Sequence, residues 1–462
     1  MLKMNPKLSA NRLFLLPYLL QLLSWTATAE KFYVMSSSST GCPRKPCFTL
    51  TDVVQNPSQF FASNTVITFL PGNHQTNIRR NLTVLIKDVR NISLIGSDPT
   101  NNDSKSVILC TGSLGFAFVN VSTLKLVNLH FYFCGAYFPS NFTVEGNILQ
   151  SWYFKKYIFK TTFYFLQIYK VIISGVVISN STGAGLLGIN MLGHSSIFKT
   201  TFSGNKPNCL LIFLNTSSTS KNSQPTLLNL TTVNSYMTIG MAREYHSYPY
   251  YITGLTIILA QTEYNVHVHI NNIQTFGKLS FIIENWMCRC SVIQATQITS
   301  TGESKVLVTL EAGISPKLPT CNCSKPAEEE YTVKISESSF VGTGLQVTAA
   351  RKNVKDAEYC DARIKLENIT VQNRTNHTAL RIIGMLSITL QDVRVNHNSF
   401  KGISIDRSSI TIRGKFLFSN NFGFLGAVEI RASETFFYGD ALPPPSLLHA
   451  RFLSSTSRLR QT

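Results

Sequence analysis

Few side chains in this sequence are spaced so that they could do chemistry together. The densest acidic group is Asp356, Glu358 and Asp361, around Cys360. Clustered carboxylates bind Ca²⁺, or divide into a general acid and a general base. Arg351, Lys352 and Lys355 stand close by in sequence, so a solvated turn with internally paired charges accounts for the same residues. His267 and His269 alternate with Val266, Val268 and Ile270, which places both imidazoles on one strand face, the outer one. A metal would need a third ligand, and the sequence identifies none. Cys288-x-Cys290 and Cys321-x-Cys323 each put two sulfurs on one face of a strand. They suit disulfides, or a Cys₄ zinc site at a spacing shorter than the usual C-x₂₋₄-C. No G-x-S-x-G, HExxH or P-loop is present. No residue is therefore assigned a catalytic, metal or cofactor-binding role, and no cofactor is expected.

The elements that would position such residues declare themselves as an internal repeat. Ile364-Lys365-Leu366-Glu367-Asn368-Ile369-Thr370-Val371 returns 24 residues later as Ile388-Thr389-Leu390-Gln391-Asp392-Val393-Arg394-Val395. The pattern is apolar-x-apolar-x-[ND]-apolar-x-apolar. Leu124 to Phe131 repeats it around Asn128, Val171 to Ile178 around Gly175, and Val268 to Thr275 around Asn272. Weaker copies are Val89-x-Asn91-Ile92-x-Leu94 and Val333-x-Ile335-x-Glu337. Asn373 is followed at +7 and +9 by Leu380 and Ile382, and Asn180 by Leu187 and Ile189 at the same offsets. Each unit thus holds about three short alternating runs in roughly 22 to 24 residues.

Alternation at period two puts every second side chain on one face. The [ND] position breaks it, because apolar residues lie two before it and immediately after it. A residue in the left-handed region turns the chain there while the next apolar residue still points inward, and Asn, Asp and Gly tolerate that region best. Three short strands per unit make a three-faced coil, and stacked coils pair each strand in parallel with its counterpart one repeat on. The expected fold is all-β, a right-handed single-stranded parallel β-helix with a disulfide-containing N-terminal cap. Stacked Asn side chains can hydrogen-bond from coil to coil. An ordinary β-sandwich of alternating strands does not explain matched offsets across two different turns.

Composition agrees. The 462 residues accommodate one large all-β domain or two to three ordinary ones. The apolar share of 44% excludes wholesale disorder, and only 14% of residues are charged, which disfavours long solvated helices. The formal net charge is +18. The basic residues are scattered rather than gathered in one run. They suit solubility alone, or attraction to acidic glycans or extracellular proteins.

The address is export. Lys3, Lys7 and Arg12 precede an apolar run from Leu13 to Trp25, and Thr26-Ala27-Thr28-Ala29 ends in an A-x-A pattern. Residues 1–29 are expected to be a cleaved signal peptide, 30–80 the cap and first strands, 81–438 the coils, and 439–462 an irregular tail. After Tyr438 the strand pattern stops, so the tail is expected to be a truncated or mis-spliced end, from which an anchor could have been lost. No later segment reads as a membrane span. The expected location is secreted or extracellular, or the cell surface if such an anchor is missing, and nucleic acid is not an expected partner.

Glycosylation sequons begin at Asn81, Asn91, Asn102, Asn120, Asn141, Asn180, Asn215, Asn229, Asn368, Asn373 and Asn376. A further one, Asn322, lies between two cysteines and is not counted as a candidate. The even total of 10 cysteines in an exported chain reads as disulfides, with Cys42, Cys47, Cys110, Cys134, Cys288, Cys290, Cys321 and Cys323 as the candidates. The local pair is Cys42–Cys47, and the two C-x-C pairs could be cross-linked to each other.

Phe32-Tyr33-Val34, the run Gly41-Cys42-Pro43-Arg44-Lys45-Pro46-Cys47-Phe48-Thr49-Leu50, and the strand Val66 to His74 resemble the opening of a broad group of secreted metazoan right-handed β-helix proteins. The resemblance extends to about Ile430. Phe418-Ser419-Asn420-Asn421-Phe422-Gly423-Phe424-Leu425-Gly426-Ala427-Val428 looks like the FxxN…GGAI repeat of polymorphic outer-membrane proteins, with Leu425-Gly426 where that pattern has two glycines. These resemblances imply the fold and little about function, because the metazoan group is mostly uncharacterised.

Parallel β-helices often host polysaccharide lyases and glycosidases. Arg363-Ile364-Lys365 matches a short basic tripeptide of pectin hydrolases, but the Asp-Asp and Gly-His-Gly elements that accompany it there are missing, and Ile364 serves the core repeat. The expected function is a non-catalytic extracellular β-helix for adhesion or for glycan or protein recognition. The alternative is a polysaccharide-active enzyme on the same fold, which requires carboxylates on adjacent coils.

Overall fold

A computed structural model describes residues 29–36, 41–76, 78, 81–97, 105–138, 160–191, 193–205, 208–215, 226–237, 254–260, 266–284, 291–302, 305–311, 331–350, 363–384, 387–406, 408–421, 428–431, 434–438, 451–452 and 459–461.

Alternation dictates the elements. In the strand Arg363–Gln372, Ile364 and Leu366 are buried while Lys365 and Glu367 face outward. Asn368 then adopts a φ of 50°, so the chain turns and Ile369 and Val371 become the next buried side chains. Ser387–Asn396 does the same at Asp392, with φ 53°, and Val266–Phe276 at Asn272, with φ 53°. Asn128, Gly175 and Glu337 also have positive φ, as the repeat predicts. The same corner is held by Lys199, Thr232 and Gln297, which have no intrinsic taste for this region. At such residues the backbone stores strain on the order of 1–3 kcal/mol, tolerated only where neighbouring coils over-determine the geometry.

Among the described residues the strands of the coils pair in parallel, each with its counterpart one coil on, and the single antiparallel bridge is Ala136 to Thr161. Arg363–Gln372, for example, lies between Val333–Val341 and Ser387–Asn396. The described strands form a 20-stranded and a 13-stranded sheet. The larger sheet bends at the left-handed corner and so supplies two faces of each coil, and the smaller sheet supplies the third. This is a single-stranded parallel β-helix. Its interior is columnar: Leu210, Leu255, Leu279, Val306, Leu345 and Leu380 stack in register on one face, each at most 1% exposed. Leu230, Ile270, Ala295, Ile335, Leu366 and Leu390 stack on another.

Polar columns accompany the apolar ones at the corner after the bent sheet. Asn398 is fully buried; its Oδ1 accepts the Arg374 N–H at 2.8 Å, and its Nδ2 donates to Asn421 Oδ1 at 2.7 Å. Asn205 plays the same part higher up, accepting from the Ser181 N–H at 3.0 Å and donating to the Ile178 carbonyl at 3.0 Å. These amides satisfy backbone groups that the turn takes out of the sheet.

Four details depart from the sequence reading. First, the offsets after Asn180 and Asn373 are not equivalent. Leu380 is in register with Leu345 on the core face, whereas the core residue after Asn180 is Leu186, paired with Phe163 and Leu210. The turn after Asn180 is one residue shorter, and a one-residue slip moves Leu187 and Ile189 to the opposite face of the strand. Second, Asn91 opens the strand Asn91–Ile95 and pairs with Thr123, so it is not the corner residue of its repeat. Third, the cap contains helices α1 (Leu50–Gln55) and α2 (Pro57–Phe60), started by a capping box in which Thr49 and Asp52 bond reciprocally. Fourth, within 439–462 two short strands add to the sheets: Arg451–Phe452 pairs in parallel with Val428–Arg431, and Leu459–Gln461 with Glu434–Tyr438.

Candidate functional site

Two clefts on the outside of the coil gather charged groups. The first lies on the bent sheet along the left-handed corner, an open groove of ≈ 460 Å³ lined by Lys334, Ser336, Glu337, Glu367, Asn368, Asp392, Arg394 and Lys415. The register explains the gathering. Ser336 pairs with Glu367, and Glu367 with Gln391, so Glu337, Asn368 and Asp392 occupy the corner on three successive coils. Glu367 stands beside that column. With coils about 4.8 Å apart, Glu337 and Asp392 are separated by about 10 Å along the axis.

The carboxylates of this groove are engaged. Glu367 receives Lys334 Nζ at 2.8 Å and Lys365 Nζ at 3.0 Å. The Lys334 bond foremost, with Lys365 assisting against the opposing effect of burial, holds the Glu367 carboxyl below the usual range. Asp392 Oδ1 accepts the backbone N–H of Lys415 at 2.9 Å. A general acid needs its carboxyl kept protonated near neutral pH, and the surroundings of Glu367 act in the opposite sense.

The second cleft, of ≈ 250 Å³, opens on the outer face of the smaller sheet and is lined by Lys305, Gly344, Leu345, Gln346, His377, Thr378, Arg381 and Phe400. Burial, with Arg374 and Arg381 adding like charge, lowers the Lys305 pKa. One coil before it, Lys278 is pushed down to about 8 by burial and by Lys305.

The residues singled out in the sequence are distributed as follows. His267 and His269 do share the outer face, their rings stacked 6.4 Å apart, between buried Val266, Val268 and Ile270. Among the described residues, no group of three or more His, Cys, Asp or Glu is placed to hold a metal ion. Cys42 is bonded to Cys47, and Cys110 to Cys134 across one buried coil-to-coil step. Cys288, Cys290, Cys321 and Cys323 lie outside the described residues, as do the acidic group Asp356, Glu358 and Asp361 and residues 1–28. Asn81, Asn91, Asn120, Asn180, Asn368, Asn373 and Asn376 are exposed, and Asn229 is half-buried. Asn120, Asn180, Asn368 and Asn373 are left-handed corner residues. Asn102 and Asn141 lie outside the described residues; of the Asn215 side chain nothing is described. Among the described residues, no helix is long and apolar enough to cross a membrane.

No protein-family model and no curated protein matches the chain. Among solved structures, the crystal structure of pectate lyase Pel9A is similar at 10% sequence identity, over 86% of this chain and 78% of that one, with a TM-score of 0.27.

Proposed function

We propose that this chain is a non-catalytic extracellular β-helix that recognises acidic glycans through its charged outer faces. The observation that carries the reading is the state of Glu367. Two lysine ammonium groups hold it ionised, which suits a fixed charge pattern better than proton transfer. Lys334, Arg394 and Lys415 line the same groove and give it cations for a polyanion. The disulfides Cys42–Cys47 and Cys110–Cys134 are compatible with an oxidising, extracellular setting, and the exposed sequons with glycosylation there.

The test is a glycan array with sulfated and uronic-acid polysaccharides, with released products monitored. Salt-sensitive binding without cleavage supports recognition. A second reading, a polysaccharide-active enzyme, is favoured by one observation: Glu337, Glu367 and Asp392 do lie on three consecutive coils, the arrangement that such an enzyme requires. Release of oligosaccharides, abolished by Glu367→Gln or Asp392→Asn, would establish that reading in place of the first.

A further inference from the structure

The column of outward positions that opens each strand of the smaller sheet runs Lys278, Lys305, Gly344, one per coil, as the pairing of Leu279 with Val306 and of Lys305 with Gly344 requires. Gly344 follows the two lysines in this column, and its φ does not lie in the left-handed region, so the backbone there does not call for glycine. What the missing side chain provides is space. A Cβ at Gly344 would come 3.1 Å from the Thr378 carbonyl oxygen and 3.6 Å from Arg374 Nε. Behind Gly344 lies the Arg374 guanidinium, 3% exposed and anchored by Nη1 donating to the Gly342 carbonyl at 2.7 Å.

The electrostatics of this cleft are one-sided. Arg374 and Arg381 both act on Lys305 as like charges, and Lys278, one coil before, adds a fourth cation beside Lys305. In the outward column of Arg381, the described carboxylate is Glu429, two coils on and paired with Lys401. Half-buried like charges cost stability, and an oxyanion seated among them offsets that cost. Guanidinium and ammonium together suit the paired oxygens of a carboxylate or sulfate. Phe400, 44% exposed, lines the same cleft, and an aromatic face packs against the apolar C–H face of a sugar ring. Gln346 and Thr378 supply polar groups for hydroxyls.

We infer that this cleft is a subsite for one acidic sugar unit of a polysaccharide, its carboxylate or sulfate taken by Lys305 and Arg381, with buried Arg374 adding positive charge behind them, and its ring packed on Phe400. The inference rests on the glycan-recognition reading for the nature of the ligand, but it concerns a different face of the coil from the Glu367 groove.

The experiment measures binding of heparin, polygalacturonate and neutral dextran to the purified full chain, and to Lys305→Gln/Arg381→Gln, Phe400→Ala and Lys334→Gln/Lys415→Gln variants. Melting temperature is the check on folding; Arg381 and Phe400 are exposed and Lys305→Gln relieves like-charge repulsion, so folding is preserved. The expected result is at least tenfold weaker binding of heparin or polygalacturonate in the first variant, weaker binding in Phe400→Ala, and no binding of dextran by any. Heparin alone, or polygalacturonate alone, identifies sulfate or carboxylate as the group taken. Wild-type binding that survives in the first two variants and is lost in the third overturns this subsite while leaving the recognition reading intact. No binding of either acidic polysaccharide by the wild type overturns both.

Discussion

Gly414 follows Asp392 in the corner column, one coil on, and a Cβ at Gly414 would lie 2.5 Å from Asp392 Oδ1. The carboxylate occupies that place because it accepts the Lys415 N–H. Asn128 stands in the same relation to Gly175, and Asn180 to Gly204. At these three positions the next corner is glycine, both for space and for its φ of 63° to 66°. Gly414→Ala should therefore destabilise by about 2 kcal/mol. Adding Asp392→Ala should recover part of that loss, giving a coupling of about 1 kcal/mol in a double-mutant cycle by denaturant unfolding. Strict additivity would show that the two corners do not contact.

Asn398 tests the polar column. Its amide is fully buried and bonds to both neighbouring coils. Asn398→Leu leaves the Arg374 N–H and Asn421 Oδ1 without that partner, so a loss of roughly 2–3 kcal/mol is expected. Asn398→Asp restores only the acceptor and buries a charge, so it should fare no better. Thermal unfolding of the two variants against wild type decides the matter; a change below about 0.5 kcal/mol would count against the column as a stabilising element.

The Cys110–Cys134 bond spans 24 residues, one coil, with both cysteines fully buried. Loop-closure entropy for such a span is worth about 3 kcal/mol. Cys110→Ala/Cys134→Ala should lower the unfolding free energy by that order, and reduction of the wild type should be slow because the sulfurs are inaccessible. Rapid labelling of these thiols under mild reductant in the native state would contradict the buried placement.

His74 offers a pH-dependent signature in the cap. It is 1% exposed, its Nε2 lies 2.7 Å from the Leu70 carbonyl, and burial lowers its pKa from 6.5. Donation to a carbonyl needs only the neutral ring. The unfolded chain takes up a proton near pH 6.5 that the folded chain refuses until lower pH. Stability is thus present above pH 6.5 and falls as the pH drops below it, by at most about 1.4 kcal/mol per pH unit. His74→Gln keeps a donor and should remove this slope; an unchanged slope would assign it to other groups.

Much of this fold was legible because alternation and the corner residue leave a mark in the sequence. Ile364 to Val371 and Ile388 to Val395 reveal both the coil and its turn, and the structure pairs them residue for residue. Lys199, Thr232 and Gln297 hid three corners, because stacking rather than local preference fixes their backbone. The groove was half visible. Glu337, Glu367 and Asp392 each appear in the repeat, but as turn or strand residues, and only the register of coils separated by unequal insertions brings them together. The basic cleft left no local sign. Lys278 and Lys305 belong to successive coils, and Arg381 lies two coils beyond Lys305 and 76 residues later in the chain. Spacing in the chain therefore carries no trace of their proximity.

Lys278 joins the cleft to the stability of the whole coil. Its pKa is lowered from 10.5 to about 8 by burial first and by Lys305 second. For a base the sign follows directly: between pH 8 and 10.5 the unfolded chain binds a proton that the folded chain has lost, so stability rises with pH across that window. Below pH 8 the folded protein carries a buried ammonium beside a like charge. Lys278→Met removes that burden and should stabilise at pH 7 by roughly 1–3 kcal/mol, an advantage that fades as the pH is raised towards 10.5. An oxyanion in the adjacent cleft should act on the same group from the other side, raising its pKa. NMR titration of the Lys278 amine with and without heparin reads this shift directly. A Lys278→Met variant that is less stable at pH 7 than wild type would show that this side chain contributes packing that outweighs the cost of its buried charge.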